Sequence, residues 1–126
     1  MIVSIGIDII EVERIREVVA RTPRFVDRVF TMRERDYCAG RGPMVSAQRY
    51  AARFAAKEAA FKAFGTGWSG GVGWQEVEIV RQESGAPALI FHGKAQQLFE
   101  RSGAKRVHLS MSHTAHHAVA QVILEQ

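Results

Sequence analysis

The chain has 126 residues, 47% hydrophobic and 24% charged, a balance that excludes a disordered or coiled-coil protein and fits a single domain over 1–126. A lone cysteine, Cys38, excludes a disulfide framework, and no apolar run approaches the roughly 18 residues of a membrane span, so a cytoplasmic chain without membrane attachment is expected. The formal net charge is +4. Residues 14–35 hold seven arginines against three acids, an excess equal to that of the whole chain, which points to an acidic partner for this segment.

Residues 1–10 alternate as a strand, with Val3, Ile5, Ile7 and Ile9 on one face and Ser4, Gly6 and Asp8 on the other. Gly6 allows a close backbone approach there. Asp8, near the strand end, is by itself a turn or cap residue; a second carboxylate arriving from elsewhere would make it a metal ligand. A short helix over 11–21 follows, with Glu11 and Glu13 at its start and Arg21 at its end, matching the helix dipole. Val12, Ile15 and Val19 form its buried stripe, and Arg14, Val18 and Arg21 share an adjacent face. Pro23 opens a further helical turn in which Arg24 and Arg28 flank an exposed-looking Phe25. An apolar residue among arginines suits a docking surface, and a solvated basic face is the plainer alternative. Thr31 and Glu34 fit a capping box for a helix over 32–39, in which Asp36 carries no special signal.

Ser46 is a plausible cap for a long helix centred on 50–64, ended by Gly65 and Gly67. Ala51, Ala52, Ala55, Ala59 and Ala63 cover one side of it and Tyr50, Phe54, Phe61 and Phe64 the other, which leaves no solvent face. Its charges are therefore informative. Arg53 and Lys57 lie four apart on one flank of the aromatic stripe, and Glu58 and Lys62 four apart on the other. A plain surface ion pair from Glu58 to Lys62 is one reading, worth a few tenths of a kcal/mol. The other is a metal-bound polyphosphate, the glutamate holding the cation and the basic groups holding phosphate oxygens. Glycines at 65, 67, 70, 71 and 73 make a loop that could cradle phosphate through backbone N–H groups, without a Walker or dinucleotide spacing.

The last third reads as β structure. Residues 74–81 and 87–91 form a hairpin, 94–101 a short helix stopped by Gly103, and 106–112 and 117–124 the closing strands. His113, His116 and His117 cluster in the last turn, where hydrogen bonding, with Ser112 and Thr114, to a nucleotide or phosphate is favoured over a transition-metal site. The class is α+β, a small antiparallel sheet packed against a long central helix, with a basic helical segment near the N-terminus.

Three stretches carry a resemblance: Ile5-Gly6-Ile7-Asp8, then Phe54-Ala55-Ala56-Lys57-Glu58-Ala59-Ala60-Phe61-Lys62, and Ser110-Met111-Ser112-His113-Thr114. In this order and spacing the chain resembles the 4′-phosphopantetheinyl transferases, in particular the small type that acts on acyl carrier proteins. The resemblance implies transfer of the phosphopantetheine arm of coenzyme A, as co-substrate, to a carrier serine, with release of adenosine 3′,5′-bisphosphate. It implies Asp8 and Glu58 as Mg²⁺ ligands and Lys62 as a catalytic group on the same phosphates. Arg53, Lys57, Gly65, Ser112, His113 and Thr114 are then candidates for coenzyme A, and Glu58, directly or through a water, for the serine proton, with Asp36 as the alternative. It further implies a homotrimer with sites shared between subunits, and gives Arg14, Arg21, Arg24, Phe25 and Arg28 an acidic acyl carrier protein to bind. No pattern is assigned to Trp68–Val72.

Two competing readings differ in class. A basic nucleic-acid-binding module could use residues 14–35, but it has no helix-turn-helix, stacking or zinc signature and leaves Asp8 and Glu58 without a task. A coenzyme A-binding protein without catalysis is opposed by the retained carboxylates and Lys62.

Overall fold

The computed structural model describes residues 1–65 and 71–126. The chain runs β1 (Ile2–Glu11), α1 (Val12–Arg21), α2 (Pro23–Val29), α3 (Met32–Cys38), α4 (Pro43–Phe64), a short 3₁₀ turn (Trp74–Glu76), β2 (Val77–Arg81), β3 (Pro87–Phe91), α5 (Gly93–Arg101), β4 (Arg106–His113) and β5 (His117–Glu125). Strands β1, β5 and β4 make one antiparallel sheet in that order, and β2 and β3 make a separate hairpin. The fold is thus α+β, with α4 as the element that both sheets share through the core.

Alanine explains how α4 can be buried on so many sides. Ala51, Ala55, Ala56, Ala59 and Ala60 have no accessible surface, so backbone rather than long side chains meets the sheet. The closest approach is at Gly6, where a Cβ would overlap the Ala59 carbonyl oxygen and crowd the Ala63 nitrogen. The Ser4 hydroxyl donates to the Ala63 carbonyl at 2.6 Å and fixes the same crossing. Aromatic rings close the flanks: Phe54 stacks on Trp74 at 5.1 Å, and Phe64 meets Phe91 at 5.1 Å.

The helix begins earlier than its composition suggests. Pro43 is its first residue behind Gly42, whose φ of 85° suits the glycine, and Ser46 lies inside the first turn instead of capping it. At the other end Gly65 adopts φ 76° and closes the helix as predicted. Thr31 and Glu34 do form the capping box of α3. In β1 the apolar row is the outer one: Ile5, Ile7 and Ile9 are more than half exposed, because Ser4, Gly6 and Asp8 take the face against α4. Residues 66–70, which carry most of the glycine-rich loop and Trp68, lie outside the described residues. No helix of the described residues is long and apolar enough to cross a membrane.

Candidate functional site

Close packing of β1 on α4 sets the geometry. Asp8 sits two residues beyond Gly6 on the same strand face, and Lys62 lies three residues beyond Ala59, the alanine that Gly6 admits. The Lys62 ammonium lies 3.1 Å from Asp8 Oδ1 and donates to the Ile7 carbonyl at 3.0 Å. Glu58, one turn before Lys62, shares this edge. Burial pushes its carboxyl above the usual value, the neighbouring Asp8 charge acts in the same direction, and Lys62 opposes both. Two carboxylates, one of them reluctant to ionise alone, beside one exposed ammonium make a site that gains from an added cation. The donor set is hard oxygen, and two protein carboxylates suit Mg²⁺, which keeps its other positions for water and phosphate. Among the described residues no three of His, Cys, Asp and Glu gather.

A second group lies at the other edge. Ile10 of β1, Ala118 of β5 and His113 of β4 stand opposite one another, so β5 separates His113 from the β1 edge by two strand spacings, about 10 Å. His113 and Ser112 line a cavity of about 420 Å³ with Arg53, Arg49, Arg81 and Tyr37. Arg53 is 5% exposed, stacked on the Tyr37 ring at 4.1 Å, and its Nε has no partner among the described residues. Thr114 is committed to its turn, its hydroxyl accepting from the His116 and His117 amides at 3.2 and 3.1 Å. Gly65 is likewise committed, its N–H donating to the Lys62 and Phe61 carbonyls at 3.0 and 3.2 Å as the cap of α4.

Lys57 corrects the sequence reading. It was expected to hold a coenzyme A phosphate, but its side chain is completely buried and pairs with Glu34 at 2.9 Å. The ammonium also donates to the carbonyls of Trp74, at 3.0 Å, and Val77, at 2.5 Å. Glu34 Oε2 accepts from the Ile79 amide at 2.8 Å, and its Oε1 from the Thr31 amide at 2.8 Å. All three ammonium protons are thus used, and no phosphate can reach them. Burial lowers the lysine's pKa, with the Glu34 charge opposing. The capping box announced Glu34 as a cap but not as the counter-ion of Lys57, which is a long-range fact. Asp36 is exposed on α3 in a shallow hollow with Met32 and Arg35, and it does not join Asp8 and Glu58.

The basic segment forms a third surface. Arg14, Arg21, Arg24 and Arg28 are exposed, and among the described residues none pairs with a carboxylate. Phe25, expected to be exposed, is half-buried because its ring packs against Phe30 at 6.0 Å and Phe54 at 5.8 Å. A cavity of about 290 Å³ opens there between Phe25, Phe54, Trp74, Arg24 and Arg28. Phe54 precedes Glu58 by one helical turn, so this apolar cavity adjoins the carboxylate edge. Arg49 and Arg81 escaped the sequence reading; the four-residue series Arg49, Arg53, Lys57 along α4 was the available signal.

The model of the 4′-phosphopantetheinyl transferase superfamily matches residues 4–122. The chain is 51% identical over 126 residues to a holo-(acyl-carrier-protein) synthase of Koribacter versatilis, covering 99% of each. It is similar in structure to a holo-(acyl-carrier-protein) synthase of Bacillus anthracis solved in complex with CoA (3′,5′-ADP), with a TM-score of 0.82, 40% identity, and coverage of 99% of this chain and 97% of that one. A Helicobacter pylori synthase solved in complex with coenzyme A gives a TM-score of 0.82 at 26% identity, over 96% of this chain and 99% of that one.

Proposed function

The chain belongs to the 4′-phosphopantetheinyl transferase superfamily, and from that premise we propose that it transfers the phosphopantetheine arm of coenzyme A to a serine of an acidic apo acyl carrier protein. The observation that carries the reading is Lys62 at 3.1 Å from Asp8, on the edge shared with a Glu58 whose charge is disfavoured. Asp8 and Glu58 would hold Mg²⁺, which when bound would offset the charge of the coenzyme A pyrophosphate. Lys62, exposed at the same edge, reaches the same phosphates and stabilises the charge that builds on the leaving adenosine 3′,5′-bisphosphate. Glu58 accepts the serine proton, directly or through a water, from its place on the same edge. Arg53 and His113 take the adenosine end of coenzyme A. The exposed arginines of α1 and α2 meet the carrier's acids, and the cavity beside Phe25 takes an apolar side chain from it.

The proposal includes a homotrimer. Its support is the separation of the two groups: carboxylates and Lys62 stand at the β1 edge, Arg53 and His113 at the β4 edge, with β5 between them. A neighbouring copy brings the two kinds of edge together. The outer row of Ile5, Ile7 and Ile9, continued across β5 by Val119 and Ile123, is an apolar face for such a contact. A cytoplasmic setting goes with the proposal, since Cys38 is an unpaired thiol.

The test is direct. Incubation with coenzyme A, Mg²⁺ and an apo-carrier should add about 340 Da to the carrier, the mass of a phosphopantetheine arm bound through its phosphate by a group-transfer step of the kind described. An unchanged carrier mass, with DNA bound at moderate salt instead, would replace this reading by a nucleic-acid one.

A further inference from the structure

We infer that Gln75 is a positioning residue for the carrier, an inference that rests on the reading of α2 as the docking surface. Helix α2 has seven residues, too few to hold a helical shape by its own backbone bonds, and no side chain among the described residues caps its start. Its end is in deficit too. The amides next in helical register for the Asp27 and Phe30 carbonyls belong to Thr31 and Glu34. Both are spent in the capping box of α3, the first on Glu34 Oε1 and the second on Thr31 Oγ1. Gln75 supplies the missing donors from far along the chain. Its Nε2 donates to the Asp27 carbonyl at 2.7 Å and to the Phe30 carbonyl at 3.0 Å.

The two walls of the apolar cavity are joined through this residue. One wall is α2, with Arg24, Phe25 and Arg28; the other is Phe54 of α4 and Trp74, the neighbour of Gln75 in the 3₁₀ turn. The second wall is fixed to the core: the Trp74 ring stacks on Phe54 at 5.1 Å, and the Trp74 carbonyl accepts from the buried Lys57 ammonium at 3.0 Å. The α2 wall joins this frame by the contact of the Phe25 and Phe54 rings at 5.8 Å and by the Gln75 amide. A ring contact tolerates sliding, whereas two hydrogen bonds from one nitrogen fix both distance and direction. The Gln75 amide therefore sets how wide the cavity stands and where Arg24 and Arg28 sit beside it. A surface held ready in this way binds its partner without first ordering a seven-residue helix.

Gln75→Met keeps the length of the side chain and removes the donor. In the full chain it should raise the KM for an apo-carrier on the order of fivefold, the weight of neutral hydrogen bonds, while kcat and the KM for coenzyme A stay within about twofold. No charge changes, so the factor should be the same at low and high salt. In a Phe25→Ala background, where the cavity has lost a wall, the Gln75→Met factor should fall toward one. Anisotropy of a fluorescent apo-carrier, read without coenzyme A, should show the same pattern independently of transfer. An unchanged carrier affinity, or a factor as large with Phe25→Ala as without it, would overturn the inference. So would an equal rise in the KM for coenzyme A, the mark of a general loosening of the fold. Reversal of Arg24 and Arg28 separates the two levels of the reading. If it raises the carrier KM and Gln75→Met does not, this inference falls alone; if neither does, the docking surface falls with it.

Discussion

Glu58 stands under two opposed demands, since the proposed metal site needs it ionised and its surroundings resist ionisation. Its pKa is raised in the fold above the unfolded value, so the ionised form costs stability at neutral pH and the cost vanishes below the ordinary carboxylate range, near 4. Glu58→Gln should therefore raise the melting temperature in chelator at pH 8, and the gain should disappear by pH 4. The same variant should lose transfer by several orders of magnitude, because it keeps the shape and removes both the charge and the base. A Glu58→Gln protein that melts with wild type at pH 8 would show that burial does not burden the carboxylate. Lys62 bears no such load. It is 55% exposed at its side chain and among the described residues bonds Asp8 and the Ile7 carbonyl, so Lys62→Ala should leave the fold intact and lower kcat more than it raises the KM for coenzyme A. An effect confined to KM would assign Lys62 to uniform binding of the donor.

At the scale of elements, the Lys57–Glu34 pair ties α4 to the start of α3, to the 3₁₀ turn and to β2. Removing one partner leaves a buried charge alone, so Lys57→Met should cost about 3–5 kcal/mol in denaturant unfolding. Lys57→Met with Glu34→Gln should recover most of that loss, whereas a double variant no more stable than the single would mean that the ammonium's bonds to the Trp74 and Val77 carbonyls dominate. On α2, reversing Arg24 and Arg28 together should raise the KM for the carrier strongly at low salt and less at high salt, with coenzyme A kinetics untouched. Insensitivity of the carrier KM to both reversal and salt would remove this surface from the docking face. The elements themselves were legible in the sequence: alternation in β1, β4 and β5, the capping box of α3, and the alanine and glycine signals of α4 all act within a few residues. What stayed hidden acts across the chain. Lys57 reads locally like Arg53, one turn away, and only the arrival of Glu34 from α3 separates a core ion pair from a cavity arginine. Arg81 comes from β2, and its meeting with Arg49 over Tyr37 leaves no mark in any single segment.

At the scale of the molecule, the surface is divided in a way that a lone chain does not explain. Ile5, Ile7 and Ile9 are 52%, 55% and 66% exposed in one row, while Asp8 and Lys62 stand at one edge of the sheet and His113 at the other. Alternation alone announced an apolar row on β1 without saying that Gly6 would turn the opposite face toward α4. If the sites form between copies in a closed ring, each needs an intact carboxylate edge from one chain and an intact His113 edge from the next. Asp8→Ala and His113→Ala chains should then each fail alone at coenzyme A levels below the wild-type KM. Unfolded together and refolded in equal amounts, they should regain activity in about one site in four, the share in which random mixing sets an intact edge of each kind face to face. Ile7→Glu, which puts a charge into the apolar row, should give monomers by light scattering and abolish the rescue. Mixed chains that assemble yet recover nothing would confine each site to one chain and leave the isoleucine row as a contact without a catalytic purpose.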